Sequence, residues 1–434
     1  MKRVVITSAA DYRDAVTLLV QRADQAESEQ ASEGKAEAVR AIVQAVRERG
    51  DAAVAEFTAR FDKVELSPDQ FEVTPDEIDA GAKHVAPDLF AALERAHANI
   101  RKFHTKNLRQ SWEEVDDDGT ILGQRVLPIE SAGVYVPGGT AFYPSSVLMN
   151  IVPASVAGVQ DIVMVSPPTW NGGLHPLVLA AAKIAGATRV FRIGGAQAVA
   201  ALAYGTEHVP SVLKITGPGN AYVTLAKRLV SSRCDIDKEA GPSEVVVIAD
   251  EKANPDLVAI ELLCQAEHDE EAAVTLITTS EAIANAVDES IKRLTPTLSR
   301  AAIIEKALAA QGLTIISRTI DEAVELTNVV APEHLSLQVE YPHKTFEKIR
   351  NAGAVMLGAG TPVSVGDYYA GPNHILPTGR RARFASPLTV EDFRKVTSII
   401  GYSRERLATA APDIMKLAET ESLTAHARAV ELRL

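Results

Sequence analysis

The residues best suited to chemistry lie in separate runs of the last two-fifths of the chain. LLCQAEHD carries Gln265 and His268, VGDYYAGPNH carries Asp367, and ESLTAHARAV carries His426. One amide oxygen, two imidazoles and one carboxylate make a mixed N/O donor set that suits zinc, with cobalt or manganese as substitutes, because geometry and supply decide such sites more than intrinsic affinity. Between these runs VVAPEHLSL places two bases side by side, Glu333 and His334. A metal next to bases is enzyme chemistry.

Spacing says how these side chains are held. Gln265 and His268 are three residues apart, so on a helix they share a face and supply two ligands from one rigid element. Asp367 reads as a loop residue, with Gly366, Gly371 and Pro372 giving the backbone freedom to aim a carboxylate. Adjacent residues point to different faces, so Glu333 and His334 are not expected to form a hydrogen-bonded pair through their side chains. Pro332 stiffens the turn before them. Two bases aimed differently suit a reaction with two separate proton removals. His374, in GPNHILPTG, and Glu421 complete the candidate polar shell. Each residue also has an ordinary use: a helical Gln on a wet surface, a His hydrogen-bonded in the interior, a Glu-His doublet in a surface ion pair or helix cap. Cys264 offers a thiolate ligand or nucleophile as an alternative, but reads better as a small apolar residue packed inside its helix. His84, His97, His104, His175, His208 and His343 stand without partners and receive no role.

The elements that must position these groups follow from periodicity. From Asp11 to about His104 apolar residues recur at helical spacing, broken at Gly50, with Thr74 and Pro75 as cap and first position of a further helix. After Trp112 short strands alternate with helices: GVYV, DIVMV, PLVLAAAKIA, RVF, AQAVAALAY, VLKIT and AYVTLAKRLV. A second round follows with SEVVVIA, NPDLVAIELLCQAEH, AVTLIT, a helix from Glu281, LTIIS and DEAVELTNVV. Such alternation predicts βαβ units and parallel sheets covered on both faces. We therefore expect an α/β protein with a helical N-terminal region over 1–115, a nucleotide-binding α/β domain over 116–240, a catalytic and metal-binding α/β domain over 241–380, and a helical C-terminal tail over 381–434.

No GxGxxG fingerprint is present. Two glycine turns after strands, from Gly194 and from Gly217, offer helix N-terminal amides to a pyrophosphate, and each serves equally well for tight strand-to-helix packing. A third turn sets Tyr135 beside Pro137, Gly138 and Gly139, where the ring would lie along a nucleotide or pack in the core.

Composition excludes other classes. A chain of 434 residues exceeds one core, and 46% hydrophobic with 23% charged residues is a globular balance. A net charge of −13 argues against a nucleic-acid surface. Two cysteines give no disulfide framework. No signal-peptide core or spanning segment is read, so a cytoplasmic protein with no membrane partner is expected.

Taken together and in this order, IDKEAGPSEVVVIAD with LLCQAEHD, APEHLSL, GDYYAGPNHILPTG with ARFASPLTVEDF, and ESLTAHARAVELRL resemble the L-histidinol dehydrogenase family over nearly the whole chain. The resemblance implies four-electron oxidation of L-histidinol through L-histidinal to L-histidine, with two NAD molecules used in succession, in histidine biosynthesis. It implies one zinc per subunit on Gln265, His268, Asp367 and His426, holding the substrate's imidazole and amino nitrogens. His334 would be general base on the alcohol and Glu333 on the hydrating water. Ser243, His374 and Glu421 would contact substrate, and Tyr135, Gln197 and Asn220 would contact the cofactor. A homodimer with exchanged segments is implied, the tail bearing Glu421 and His426 reaching the partner's site, on a fold similar to aldehyde dehydrogenases with two incomplete Rossmann-like sheets. Cys264, Ser422 and the KEAGPS run depart slightly from relatives. The rival readings are a same-family dehydrogenase of another primary alcohol and a non-catalytic metal- and nucleotide-binding protein.

Overall fold

The computed structural model describes residues 1–30, 33–138, 142–239 and 241–434. Gly139 of the third glycine turn and Ala240 of KEAGPS lie outside the described residues.

Two parallel sheets organise the chain, as the alternation predicts. In the first, Arg189–Phe191, Asp161–Val165, Ser131–Tyr135, Lys214–Thr216 and Asp235–Ile236 lie side by side in that order. Numbered along the chain this is 3-2-1-4-5, the order of a dinucleotide-type sheet without its sixth strand, and its switch point falls between Ser131–Tyr135 and Lys214–Thr216. The second sheet repeats the order with Gly312–Ile316, Ala273–Thr278, Glu244–Ala249, His334–Gln338 and Ala354–Leu357. Lys2–Val5 extends it in parallel beside Gly312–Ile316, an edge strand hidden in an N-terminal run that otherwise reads as helix.

Helices cover both faces, so the central strands are apolar nearly throughout. Alternation along Glu244–Ala249 sorts the second core. Val245 and Val247 pack with Val258, Leu262 and Leu263 of helix Pro255–Ala266, while Val246 and Ile248 pack with Leu19 of helix Ala9–Gln30 and Ala323 of helix Ile320–Val330. A third, antiparallel sheet joins Trp112–Val115, Ile121–Pro128 and Arg394–Gly401. The tail thus contributes a strand before its helices Arg404–Thr420 and Thr424–Glu431. Thr74 caps helix Pro75–Lys83 in a reciprocal capping box with Glu77, as its sequence signature predicts. No helix among the described residues is long and apolar enough to cross a membrane.

Candidate active site

The doublet is positioned by a helix that ends abruptly. Ala331 adopts φ 48°, closing helix Ile320–Val330 through its N–H to Thr327 O at 2.8 Å, and Pro332 then commits the chain to extended backbone. Glu333 therefore stands just before the strand and His334 is its first residue, both buried at the amino edge of the second sheet.

Glu333 Oε2 gathers three groups. It accepts from the main-chain N–H of Glu244 at 2.8 Å and from Gln265 Nε2 at 3.3 Å, and lies 3.5 Å from His334 Nδ1. The expectation that the two side chains form no hydrogen-bonded pair holds, since His334 Nδ1 makes no hydrogen bond among the described residues, but the groups do meet at ion-pair distance. Strand alternation does not separate them because Glu333 precedes the strand. On the other side of the ring, His334 Nε2 is 3.2 Å from Asp367 Oδ1. Burial depresses the imidazolium, but the charges and contacts of Glu333 and Asp367 outweigh it and push His334 up to about 10. Burial also works against the Asp367 carboxylate, and the hydrogen bond from His334 with the charges of His334, His374 and His268 brings it below its usual range.

Asp367 lies on a short helix, Val363–Tyr368, not in the loop its glycines suggest. The reason is a buried acid that sequence reasoning passed over. Glu261, one turn before Gln265, accepts the N–H of Val363 at 3.0 Å and so caps that helix, with burial raising its carboxyl. A lone acid on the apolar face of NPDLVAIELLCQ was the signal available for it. His374 accompanies Asp367, its Nδ1 2.9 Å from Asp367 O and its Nε2 3.3 Å from Ser146 Oγ at the start of helix Pro144–Ala157. Burial is the main influence lowering the His374 pKa. Through this contact the catalytic candidates of the second sheet touch the first domain.

Gln265 fits a metal. Its side chain is buried, its Nε2 is committed to Glu333, and its Oε1 has no partner among the described residues, which leaves an acceptor whose desolvation is uncompensated there. It sits in the last turn of Pro255–Ala266, where the helix dipole favours a cation. That helix ends at Ala266, so His268 is not on it; an i to i+3 bond from His268 N–H to Gln265 O at 3.2 Å keeps it adjacent, exposed in the following turn. His426, on helix Thr424–Glu431, and Glu421, at the end of the preceding helix, are both exposed. Among the described residues of one chain, His268, Asp367 and His426 do not form a group in which all three lie within 4.8 Å of one another. The half-buried thiol of Cys264 is held protonated, pushed up to about 11 by burial and then by the charges of Glu261, Glu267 and Asp367, which favours its packing role. Ser243 lies immediately before Glu244–Ala249, its carbonyl accepting from Ala273 N–H at 2.9 Å.

The cofactor candidates gather at the carboxyl ends of the first sheet. Tyr135 ends its strand buried, its hydroxyl accepting from Gly195 N–H at 3.1 Å, so one amide of that helix start is already used. Gly217, at φ 111°, has no room for a side chain, since a Cβ would meet Tyr135 O at 2.1 Å, and at Gly194 a Cβ would meet Pro167 Cβ at 2.5 Å. Both glycines therefore meet packing needs, Gly217 at the switch point and Gly194 beside the edge strand. The better indication of a ligand is Gln197: buried, in the first turn of helix Gly195–Tyr204, with neither amide atom partnered among the described residues. Asn220 caps helix Ala221–Val230 through Oδ1 to Tyr222 N–H and Val223 N–H, and is otherwise exposed.

Helix starts gathered at the carboxyl ends of one parallel sheet, joined to a buried carboxylate and imidazole on the next, are the arrangement of an α/β enzyme. The histidinol dehydrogenase family model matches residues 25–434. The histidinol dehydrogenase of Heliobacterium mobile is 51% identical over 393 residues, covering 91% of this chain and 92% of its own. That of Syntrophotalea carbinolica is 48% identical over 434 residues, covering 100% and 99%. The crystal structure of histidinol dehydrogenase from Elizabethkingia anophelis superposes with a TM-score of 0.92 at 33% identity, covering 100% of this chain and 98% of its own. The chain belongs to the histidinol dehydrogenase family.

Proposed function

We propose that the chain oxidises L-histidinol through L-histidinal to L-histidine, four electrons in all, with two NAD molecules and one zinc per subunit, in histidine biosynthesis in the cytoplasm. The observation that carries this reading is the row Gln265, Glu333, His334, Asp367, buried but for the partly exposed Asp367, with an amide oxygen at one end that has no partner among the described residues. Gln265, His268 and Asp367 of one chain and His426 of a second would hold the metal, and Tyr135, Gln197 and Asn220 would face the cofactor. When bound, the metal supplies orientation of an imidazole- and amine-bearing substrate, and NAD supplies the electron acceptor.

The protein's own groups move the protons. His334 takes the alcohol proton in the first oxidation, and Glu333, held by the Glu244 N–H and the Gln265 amide, takes a proton from the water that hydrates the aldehyde. Glu333 and Asp367 raise the pKa of His334 where no cation is held, and a cation on Asp367 would compete for that carboxylate and so favour the neutral ring that a base requires. Ser243, His374 and Glu421 would complete the substrate contacts, and exposure of Glu421 and His426 in one chain supports a homodimer with exchanged tails. The working units proposed are 1–115, 116–240, 241–380 and 381–434.

The test is stoichiometric. Metal-loaded protein given limiting L-histidinol with excess NAD should form two NADH per substrate. One equivalent would point to a simple alcohol dehydrogenase, and none to a binding protein.

A further inference from the structure

Helix Pro144–Ala157 packs on the first sheet, meets the loop that carries His374, and holds a proline, Pro153, in its third turn. Proline has no amide hydrogen, so the i to i−4 bond that would end on the carbonyl of Met149 cannot form, and the ring crowds that same oxygen. Met149 is fully buried, where a carbonyl without a donor is costly. The donor comes from 224 residues further along the chain: Asn373 Nδ2 reaches Met149 O at 2.6 Å. Asn373 is itself buried, and its Oδ1 accepts the N–H of Ile375 at 2.8 Å. One side-chain amide thus fastens a helix carbonyl of the first domain to the loop of the second, and the residue it brackets is His374.

The backbone after His374 is fixed independently. Ile375 O accepts from Leu388 N–H at 3.0 Å and from Nζ of the buried Lys238 at 3.1 Å, and the same ammonium donates to Ser386 O at 2.7 Å. Before His374 stand Gly371, at φ 113°, and the exposed Pro372, so on that side the loop depends on Asn373. The imidazole meets the same helix, its Nε2 lying 3.3 Å from Ser146 Oγ while its Nδ1 lies 2.9 Å from Asp367 O. Ser146, Asn150 and Pro153 recur at spacings of four and three and share one face of the helix, and Asn150 Nδ2 donates back to Ser146 O at 2.8 Å. That face offers the loop two holds, a hydroxyl for the ring and an open carbonyl for the residue before it.

We infer that Pro153 and Asn373 are a positioning pair for His374: the proline keeps a buried carbonyl of the first domain free of its own helix, and Asn373 takes it, which aims the imidazole into the candidate site between the two sheets. The inference rests on His374 contacting the substrate, but the pairing is measurable without turnover.

A double-mutant cycle on the full-length protein separates this pairing from general packing. Asn373→Ala strands Met149 O and should lower the melting temperature by a few degrees. In a Pro153→Ala background the restored amide closes the helical turn, so the same change should lower it by at most about half as much. Hydrogen exchange of the peptide spanning 373–378 should quicken in Asn373→Ala and also in Pro153→Ala alone, because the new helix amide competes for the carbonyl. With zinc supplied, kcat/KM for L-histidinol should fall in both variants, by up to about 10²-fold in Asn373→Ala and mainly through KM, while the KM for NAD is kept. The double variant should regain melting temperature without regaining the KM for L-histidinol. Should Asn373→Ala fold poorly, exchange and kinetics of Pro153→Ala against the parent carry the test. A proline that only shapes its helix predicts equal losses of melting temperature in both backgrounds, and in Pro153→Ala unchanged exchange at 373–378 and an unmoved KM for L-histidinol. That pattern overturns the inference. A parent that oxidises no L-histidinol, with positions 153 and 373 coupled in melting and exchange, overturns the functional reading instead.

Discussion

The two parallel sheets have the same strand order and present opposite ends to the candidate site. In the first, Tyr135 closes a strand, and Gln197 and Asn220 stand where helices begin, all at carboxyl ends. In the second, Ser243, Glu333 and His334 stand at the amino ends, and Gln265 lies in the last turn of a helix. Helix N-termini offer free N–H groups and partial positive charge, which suits a pyrophosphate; helix C-termini offer partial negative charge, which suits a cation. Joining the two through His374 and Ser146 gives one molecule an anion-favouring edge facing a cation-favouring edge. The same topology thus offers two different chemical environments because it is entered from different ends.

Three substitutions would sharpen or break that contrast. The largest effect is expected at the cation-favouring edge: Glu333→Gln should slow the second oxidation by roughly 10²- to 10³-fold and move the yield toward one NADH per substrate, because a proton-accepting base is lost while the shape stays. Stopped-flow traces with L-histidinol and with L-histidinal separate the two steps, and equal slowing of both would remove the distinct role given to Glu333. Glu261→Leu is next. It leaves the Val363 N–H buried and unpaired and frees the helix carrying Asp367, so stability should fall by about 1–3 kcal/mol and zinc affinity by about tenfold. Calorimetry and zinc titration check both, and a variant with unchanged zinc affinity would mean that Asp367 is positioned by something other than this cap.

The smallest effect belongs to the anion-favouring edge. Gln197→Leu replaces a buried amide that has no protein partner, so the apo protein should be as stable as the parent or about 1 kcal/mol more so, while the KM for NAD rises roughly tenfold. Thermal melts and initial rates against NAD decide it. A destabilised variant with an unchanged KM would make Gln197 a structural residue and leave the first sheet without its best ligand-facing group.

The strands and helices around the site were legible because buried parallel strands announce themselves as short apolar runs between amphipathic segments, as DIVMV and SEVVVIA do. The four-residue strand Lys2–Val5 was not, since it gains its identity only by pairing with Gly312–Ile316, more than 300 residues away (Lys2 opposite Leu313). Glycines suggested a loop at Asp367, yet the side chain of Glu261 supplies a helix cap that no local pattern reveals. Glu244 was hidden for a similar reason: only the register of the sheet brings its N–H to Glu333. Side-chain identity gave the chemistry, while the long-range partners that tune it required the fold.

Subunit complementation tests most directly the claim that the cation-favouring edge is finished by a second copy's tail. His334→Asn and His426→Asn, each with little activity alone, are to be mixed, unfolded together and refolded with zinc. If tails are exchanged, half of the random dimers hold one intact site, and activity should return to about a quarter of the parent's. A mixture that stays as inactive as its components would mean that His426 serves its own chain or no site at all.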